Sequence, residues 1–380
     1  MCDAVQLENA GCRVTVCMPA YNHERYIGRA LDGLLAQTDT RFKVVACDDG
    51  SRDNTYEILQ AYELKFGGRL TVLTHPCRVN RGAYRTVDVC LDHVDTPFFV
   101  VHASDDFWEP DAVGYWLGQM ATYPDTDVLY GRARVVDPEN RFLERFHGEE
   151  ETGDTGEIME RFFEACPAFE PTMFYRRDCI PILRMEGDLA YGDLYHNAIL
   201  LQKKRVRFYP REVVNYRWHE GSSWQSIGRE LFGDRRLQVL ERFYLHGTMK
   251  EFPRAQFILL ISLWAAASSK RDKLRMSQLW TEAQAVQRQL PHGWATEGLW
   301  EKAFRSAYIY NPHAHVELLA ELPWRVGKTM IRRVPRHFVE GQYVSWRERA
   351  SRRQRFHILR LLAGLGLNNF TLKNGLAWLR

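Results

Sequence analysis

From Arg13 to about Val136 the chain alternates short β-branched runs with amphipathic stretches of helical period, a pattern that points to a parallel sheet with crossover helices. Strands are expected over 14–18, 42–47, 70–74, 98–102 and 128–130. Between the first two, Tyr26, Ile27, Ala30, Leu31, Leu34 and Leu35 fall on one helical stripe, with Asn22 placed as its N-cap. A second helix starts near Asp53 and uses Ile58, Leu59 and Tyr62. The expected fold class is α/β, a mainly parallel sheet flanked by helices.

Residues 147–157 are acidic, Gly-bearing and without period, and read as a solvated loop between two halves. The stretch 158–222 reads as mixed, with strands over 173–175 and 207–216 and helices over 178–183 and 194–203. Beyond Trp224 the pattern is helical. The expected organisation is therefore a domain over 1–224, with halves 13–136 and 158–224, followed by a mainly helical domain over 225–380.

A chain of 380 residues with 45% apolar and 26% charged side chains is long enough for two or three cores, and its composition excludes disorder and fibrous repeats. Charge is unevenly spread. Residues 325–360 hold eleven Lys and Arg against two acids, a net +9 within a chain of formal charge +3, so the remainder carries −6. Only that segment suits an anionic surface. The eight cysteines form no C-x-x-C pair and read as buried free thiols of a reducing compartment. No secretory pattern opens the chain, and the apolar stretch 255–267 falls short of the roughly 20 residues of a membrane span, so a cytoplasmic location is expected.

Four polar segments follow the expected strands: Pro19-Ala20-Tyr21-Asn22, Asp48-Asp49-Gly50-Ser51, Asn80-Arg81-Gly82 and Ser104-Asp105-Asp106. Each alone has a bland reading as a turn or a helix cap, and Pro110 after Asp105-Asp106 suits a first helical turn. Together they collect at the carboxyl ends of one open α/β sheet, where such folds bind ligands. Adjacent carboxylates at a strand end point in different directions and so serve different atoms of one ligand. Magnesium or manganese accepts one or two carboxylates and completes its shell with phosphate oxygens, which suits a bound nucleoside diphosphate. No G-x-x-x-x-G-K-[ST] and no G-x-G-x-x-G follows a strand, which argues against a P-loop ATPase and a dinucleotide dehydrogenase.

The succession PAYN, CDDGSRDNT, NRG and ASDDFWEPDAV resembles the nucleotide-binding half of family 2 glycosyltransferases, which have the GT-A fold. Gly192-Asp193-Leu194-Tyr195 resembles the acidic motif that opens the family's acceptor-side helix, and Tyr216-Arg217-Trp218-His219-Glu220-Gly221-Ser222-Ser223 its closing Y-R-x-H-x-x-S segment. The likeness covers about residues 13–223. It implies that Ala20, Tyr21 and Asp49 line the base, that Arg81 lies near the nucleotide, that Asp105 binds ribose or sugar, that Asp106 holds Mn2+ or Mg2+, and that Asp193 is the general base. The family's D-x-D-D is shortened here to Ala103-Ser104-Asp105-Asp106, so the metal depends on the remaining pair.

The implied reaction is inverting, metal-dependent transfer of a sugar from a nucleoside diphosphate sugar, UDP-linked by expectation, to a hydroxyl of a glycan, lipid-linked or protein acceptor, as in polysaccharide biosynthesis. A cation stabilises the leaving diphosphate, and a carboxylate takes the acceptor's proton. In the first turn of a helix the dipole favours an ionised Asp193 by roughly 0.3 to 1 kcal/mol. His219 reads either as a metal or phosphate contact or as an ordinary structural residue. His196, three residues after Asp193, faces either the acceptor or solvent, and the solvated reading is preferred. Trp108, Trp218 and Trp224 read as sugar-stacking or core residues.

The basic segment 325–360 combines Arg with apolar residues and reads as a membrane-surface contact, peripheral at an inner membrane face, or as a helix packed on the catalytic domain. No nucleic-acid motif accompanies it. Two other functions compete: a nucleotidyltransferase, whose usual Gly-rich, Lys-bearing N-terminal loop is absent, and an inactive nucleotide-sugar-binding protein.

Overall fold

The computed structural model describes residues 11–146, 159–160, 170–184, 192–221, 229–246, 249, 251–290, 299–300, 302–303 and 306–307. The chain divides into two compact units, one formed by 1–158 with 166–229 and the other by 159–165 with 230–380. The acidic stretch 147–157, Trp224 and the basic segment 325–360 lie outside the described residues.

The first unit is built on a nine-stranded sheet. Its strands are β1 Val14–Ala20, β2 Phe42–Asp48, β3 Leu70–Thr74, β4 Phe98–Val101, β5 Phe107–Trp108, β6 Val128–Val136, β7 Phe142–Phe146, β8 Phe174–Arg176 and β9 Val206–Arg217. The order across the sheet is β3-β2-β1-β4-β8-β6-β9-β5, with β7 paired to β6. β1 pairs in parallel with β2 and β4, and β2 with β3. β8 runs antiparallel between β4 and β6, and β6 runs parallel to β9. Six strands therefore share one direction, and their carboxyl ends share one edge.

Helices α1 Ile27–Leu35, α2 Thr55–Glu63, α3 Ala83–Leu91, α4 Ala112–Thr122 and α5 Gly192–Lys203 accompany these strands. The apolar stripe of α1 is buried through Ile27, Ala30, Leu31 and Leu34 against the continuous apolar run of β1, as expected where a sheet is covered on both faces. Aromatic side chains close the core: Trp116 of α4 lies 4.8 Å from Trp108 edge to face and stacks on Phe174 at 5.4 Å. Gly131 of β6 lies where the β6–β9 register shifts, and a Cβ there would fall 1.9 Å from the Tyr209 ring. That ring is pinned, because the Tyr209 hydroxyl donates to the Thr172 carbonyl at 2.7 Å and accepts from Trp116 Nε1 at 2.8 Å. Cys17, Cys47, Cys90 and Cys179 are buried free thiols, whereas Cys77 is exposed.

Sequence expectation and structure part at three places here. Asn22 does not cap α1: it adopts φ 53°, which Asn tolerates, and its Oδ1 accepts the Arg52 amide proton at 2.8 Å. Of the two readings of Asp105-Asp106, the helix cap does not form: Phe107–Trp108 is a short strand on β9, and α4 begins at Ala112, after Pro110. The antiparallel strand β7 and helix α3 are not among the expected elements, although Val87, Cys90, Leu91 and Val94 fall at helical spacing.

In the second unit α6 Arg229–His246, α7 Pro253–Ser269 and α8 Lys273–Gln289 bear out the helical reading of the C-terminal part. α7 is buried from Phe257 through Ser268, as a helix apolar on every side should be, and its Ser262 hydroxyl satisfies itself on the Ile258 carbonyl and the Ser306 hydroxyl. Asp272 caps α8 by accepting the Arg275 amide proton. Glu160 is buried between Arg254 and Lys302, with Lys302 Nζ at 2.9 Å. Among the described residues no helix is long and apolar enough to cross a membrane.

Candidate active site

The carboxyl edge of the sheet gathers the polar loops. β1 ends in buried Ala20, whose carbonyl accepts the Asp49 amide proton at 2.8 Å and so joins the first two loops. Tyr21, next in the chain, is 37% exposed and leaves its ring free to lie against a planar ligand. Asp49 is buried, and its carboxylate accepts the amide protons of Arg81 at 2.6 Å and Gly82 at 2.9 Å, with His75 Nε2 at 3.5 Å. The turn Asn80-Arg81-Gly82 is thereby held against the second strand. The Arg81 side chain is exposed at this edge. Gly50, at φ 72°, lies so close to the Arg78 carbonyl that a Cβ would sit 2.4 Å from it.

Past β4 the two neighbouring aspartates part company. Asp105 Oδ2 lies 3.0 Å from His219 Nε2 and 3.8 Å from His23 Nε2. Asp106 turns the other way, where one oxygen accepts the Arg217 amide proton at 2.8 Å and the other has no hydrogen-bond partner among the described residues. Both are buried, with opposite consequences. Burial raises the Asp105 pKa, but the His219 hydrogen bond and the adjacent imidazoles outweigh it and hold the carboxyl below its ordinary value. Burial and the Asp105 charge push Asp106 well above the usual carboxylate range. The two neighbours are thus shifted in opposite directions, with the ionised form favoured on Asp105 and disfavoured on Asp106.

Arg217 fixes this arrangement. Its guanidinium is buried, donating from Nε to the Asp105 carbonyl at 2.8 Å, from Nη1 to the Asp137 and Pro138 carbonyls at 3.2 and 3.0 Å, and from Nη2 to Asn140 Oδ1 at 2.8 Å. Such a planar fork holds several carbonyls at once. His23 is steered too: its Nδ1 bonds the Ser104 hydroxyl at 2.8 Å, which leaves Nε2 toward Asp105. One ligand atom each from His23, Asp105 and His219 lies within 4.8 Å of the other two. Two imidazoles and a carboxylate suit a divalent cation of the manganese to zinc series better than magnesium, which prefers oxygen ligands alone. Asp106 is outside this set. His23 and Arg217 had no assigned role in the sequence; the local signals were a His directly after PAYN and the Arg of the Y-R-x-H segment.

α5 ends at Lys203, just before β9 begins at Val206, and the His196–Tyr84 contact sets the amino-terminal half of α5, which includes position 193, beside the start of α3. The Asp193 side chain lies outside the described residues. One turn on, His196 is buried rather than solvated, its ring edge-on to Tyr84 of α3 at 6.2 Å. Trp108 belongs to the core, and Trp218 is 37% exposed.

The model of the family described as "Glycosyl transferase family 2" matches residues 15–181, the stretch that carries β1 to β8 and the loops of Asp49, Arg81 and Asp105-Asp106, with Asp193, Arg217 and His219 beyond it. This segment is a family 2 glycosyltransferase domain. The glycosyltransferase domain is 30% identical over 131 residues to a chondroitin synthase of Escherichia coli, covering 34% of this chain and 18% of the relative. It is 30% identical over 132 residues to a hyaluronan synthase of Pasteurella multocida, covering 34% and 13%. The match thus spans less than a fifth of each of these relatives. Staphylococcus aureus TarS 1–349 in complex with UDP-GlcNAc superposes with a TM-score of 0.54 at 19% identity, over 80% of this chain and 91% of that one. That likeness establishes the GT-A fold for the glycosyltransferase domain.

Proposed function

We propose that the chain is an inverting glycosyltransferase that moves a hexose from a UDP-linked donor to a hydroxyl acceptor in polysaccharide or glycan biosynthesis. The observation that carries the reading is the buried Asp105 carboxylate facing two imidazoles just past the carboxyl end of β4. The relatives' names, chondroitin and hyaluronan synthase, and the UDP-GlcNAc bound to TarS support the choice of donor and product class.

In this reading Tyr21 and Ala20 receive the base, and Asp49 shapes the nucleotide loop by holding the Arg81 and Gly82 amides, so that the Arg81 side chain is presented to the nucleotide. Asp105, His219 and His23 would hold a divalent cation, Mn2+ before Mg2+, which when bound supplies charge stabilisation for the leaving diphosphate. Asp106 anchors the loop by accepting the Arg217 amide proton with one oxygen, and its other, partnerless oxygen keeps open the metal role expected from the sequence. Asp193 accepts the acceptor's proton as the new bond forms, and one base at one face leads to inversion. The domain over 225–380 is proposed to help select or localise the acceptor.

The test is incubation with a panel of sugar nucleotides and manganese, read as released diphosphate and as the anomeric configuration of the product by NMR. Turnover of a UDP-sugar with inversion is expected, and Asp193→Asn should abolish transfer while nucleotide binding persists. Formation of sugar nucleotide from a nucleoside triphosphate would favour the nucleotidyltransferase instead, and nucleotide binding without turnover an inactive relative.

A further inference from the structure

The buried face of α5 changes character along its length. Toward β9 it presents Leu200 and Leu201, each 1% exposed, and toward the carboxyl edge His196 and Asn197, at 4% and 2%. His196 is one turn before Leu200 on the same stripe, where a leucine would extend the apolar packing without leaving any polar atom in need of a partner. Instead both ring nitrogens of His196 are enclosed with no hydrogen-bond partner among the described residues. The Tyr84 ring meets the imidazole edge to face, at an interplanar angle of 85°, which packs the ring carbons without pairing either nitrogen.

Location gives these nitrogens a use. Tyr84 is in the first turn of α3, directly after the Arg81-Gly82 amides that Asp49 holds, so the Tyr84–His196 contact joins the starts of two helices at the carboxyl edge. Asp193 is three residues before His196, on the same side of α5. Burial alone pushes the imidazole pKa down to about 4, so the ring is neutral at working pH and offers one N–H donor and one lone pair. A sugar hydroxyl needs that combination, since it donates and accepts at once. A phosphate or carboxylate accepts only and would leave the lone pair unmatched.

We propose that His196 is an acceptor-binding residue, hydrogen-bonding a second sugar hydroxyl next to the one that Asp193 deprotonates, so that the acceptor is a sugar with neighbouring free hydroxyls. The inference rests on the glycosyltransfer reading above. In the structure the imidazole packs against Tyr84 with both nitrogens enclosed, so engaging a sugar hydroxyl requires the Tyr84 ring to turn aside.

The experiment uses the full chain with the donor identified above and a panel of p-nitrophenyl glycosides and their monodeoxy analogues as acceptors, comparing wild type, His196→Leu and His196→Gln. In His196→Leu the ratio of glycoside transfer to donor hydrolysis should fall about tenfold or more, mainly through KM for the glycoside, while the thermal midpoint holds or rises because two unpaired polar atoms are gone. His196→Gln, which keeps a donor and an acceptor, should recover part of the loss. Removing the neighbouring hydroxyl from the glycoside should penalise wild type and leave His196→Leu nearly indifferent. Equal transfer ratios and equal deoxy penalties in wild type and His196→Leu overturn this inference alone. A wild-type chain that releases no diphosphate from any sugar nucleotide overturns the glycosyltransfer reading and this one with it.

Discussion

Asp105 and His219 are separated by 114 residues and meet at 3.0 Å, with both side chains buried. Asp106, the next residue, is turned toward the Arg217 backbone and shares none of that contact. This division of labour between neighbours makes a direct prediction. Asp105→Asn should abolish saturable Mn2+ binding by isothermal titration calorimetry, whereas Asp106→Asn, outside the His23–Asp105–His219 set and still able to accept the Arg217 amide proton, should retain it within about threefold. The reverse pattern would return the metal to Asp106.

Arg217 spends every branch of its guanidinium on carbonyl and amide oxygens around the aspartate loop. Lysine cannot reproduce that fork. Arg217→Lys should destabilise the first unit by about 2 to 4 kcal/mol in urea titrations and weaken Mn2+ binding through a displaced Asp105, even though the charge is kept. Unchanged metal affinity would show that the clip is dispensable.

Gly131 has no space for a methyl group beside the Tyr209 ring. Gly131→Ala should cost about 3 kcal/mol or more, seen as a lower denaturation midpoint at unchanged m-value, because the ring is tied at both ends of its hydrogen-bond chain. A change under about 1 kcal/mol would mean that β6 and β9 shift apart easily.

In the second unit burial raises the Glu160 pKa, but the hydrogen bonds from Arg254 and Lys302 outweigh it and leave the carboxyl below its ordinary value. A depressed carboxyl adds stability above its unfolded pKa, about 4.3, and loses it as pH falls through the lower folded pKa. Glu160→Gln should therefore be less stable than wild type by about 1 to 3 kcal/mol at pH 7, and the gap should shrink below about pH 4. Melting curves with a gap independent of pH would reassign the stabilisation to packing.

What the sequence determined by itself was local in origin. β-Branching and helical period are properties of neighbouring residues, so β1 to β4, α1 and the edge at which the four polar loops collect follow from the order of side chains alone. The family resemblance could be read for the same reason, because its motifs are short and contiguous. Only the tertiary structure decided which aspartate faces the imidazoles, since that depends on β5 pairing with β9 to bring Phe107 opposite Asn215 and so carry His219 to Asp105. It also decided that Asn22 turns through φ 53° ahead of His23, and that α3 covers His196 on α5. Each of these outcomes is a choice between partners remote in the chain. No pattern of neighbouring residues encodes such a choice, and the packing of the whole sheet makes it.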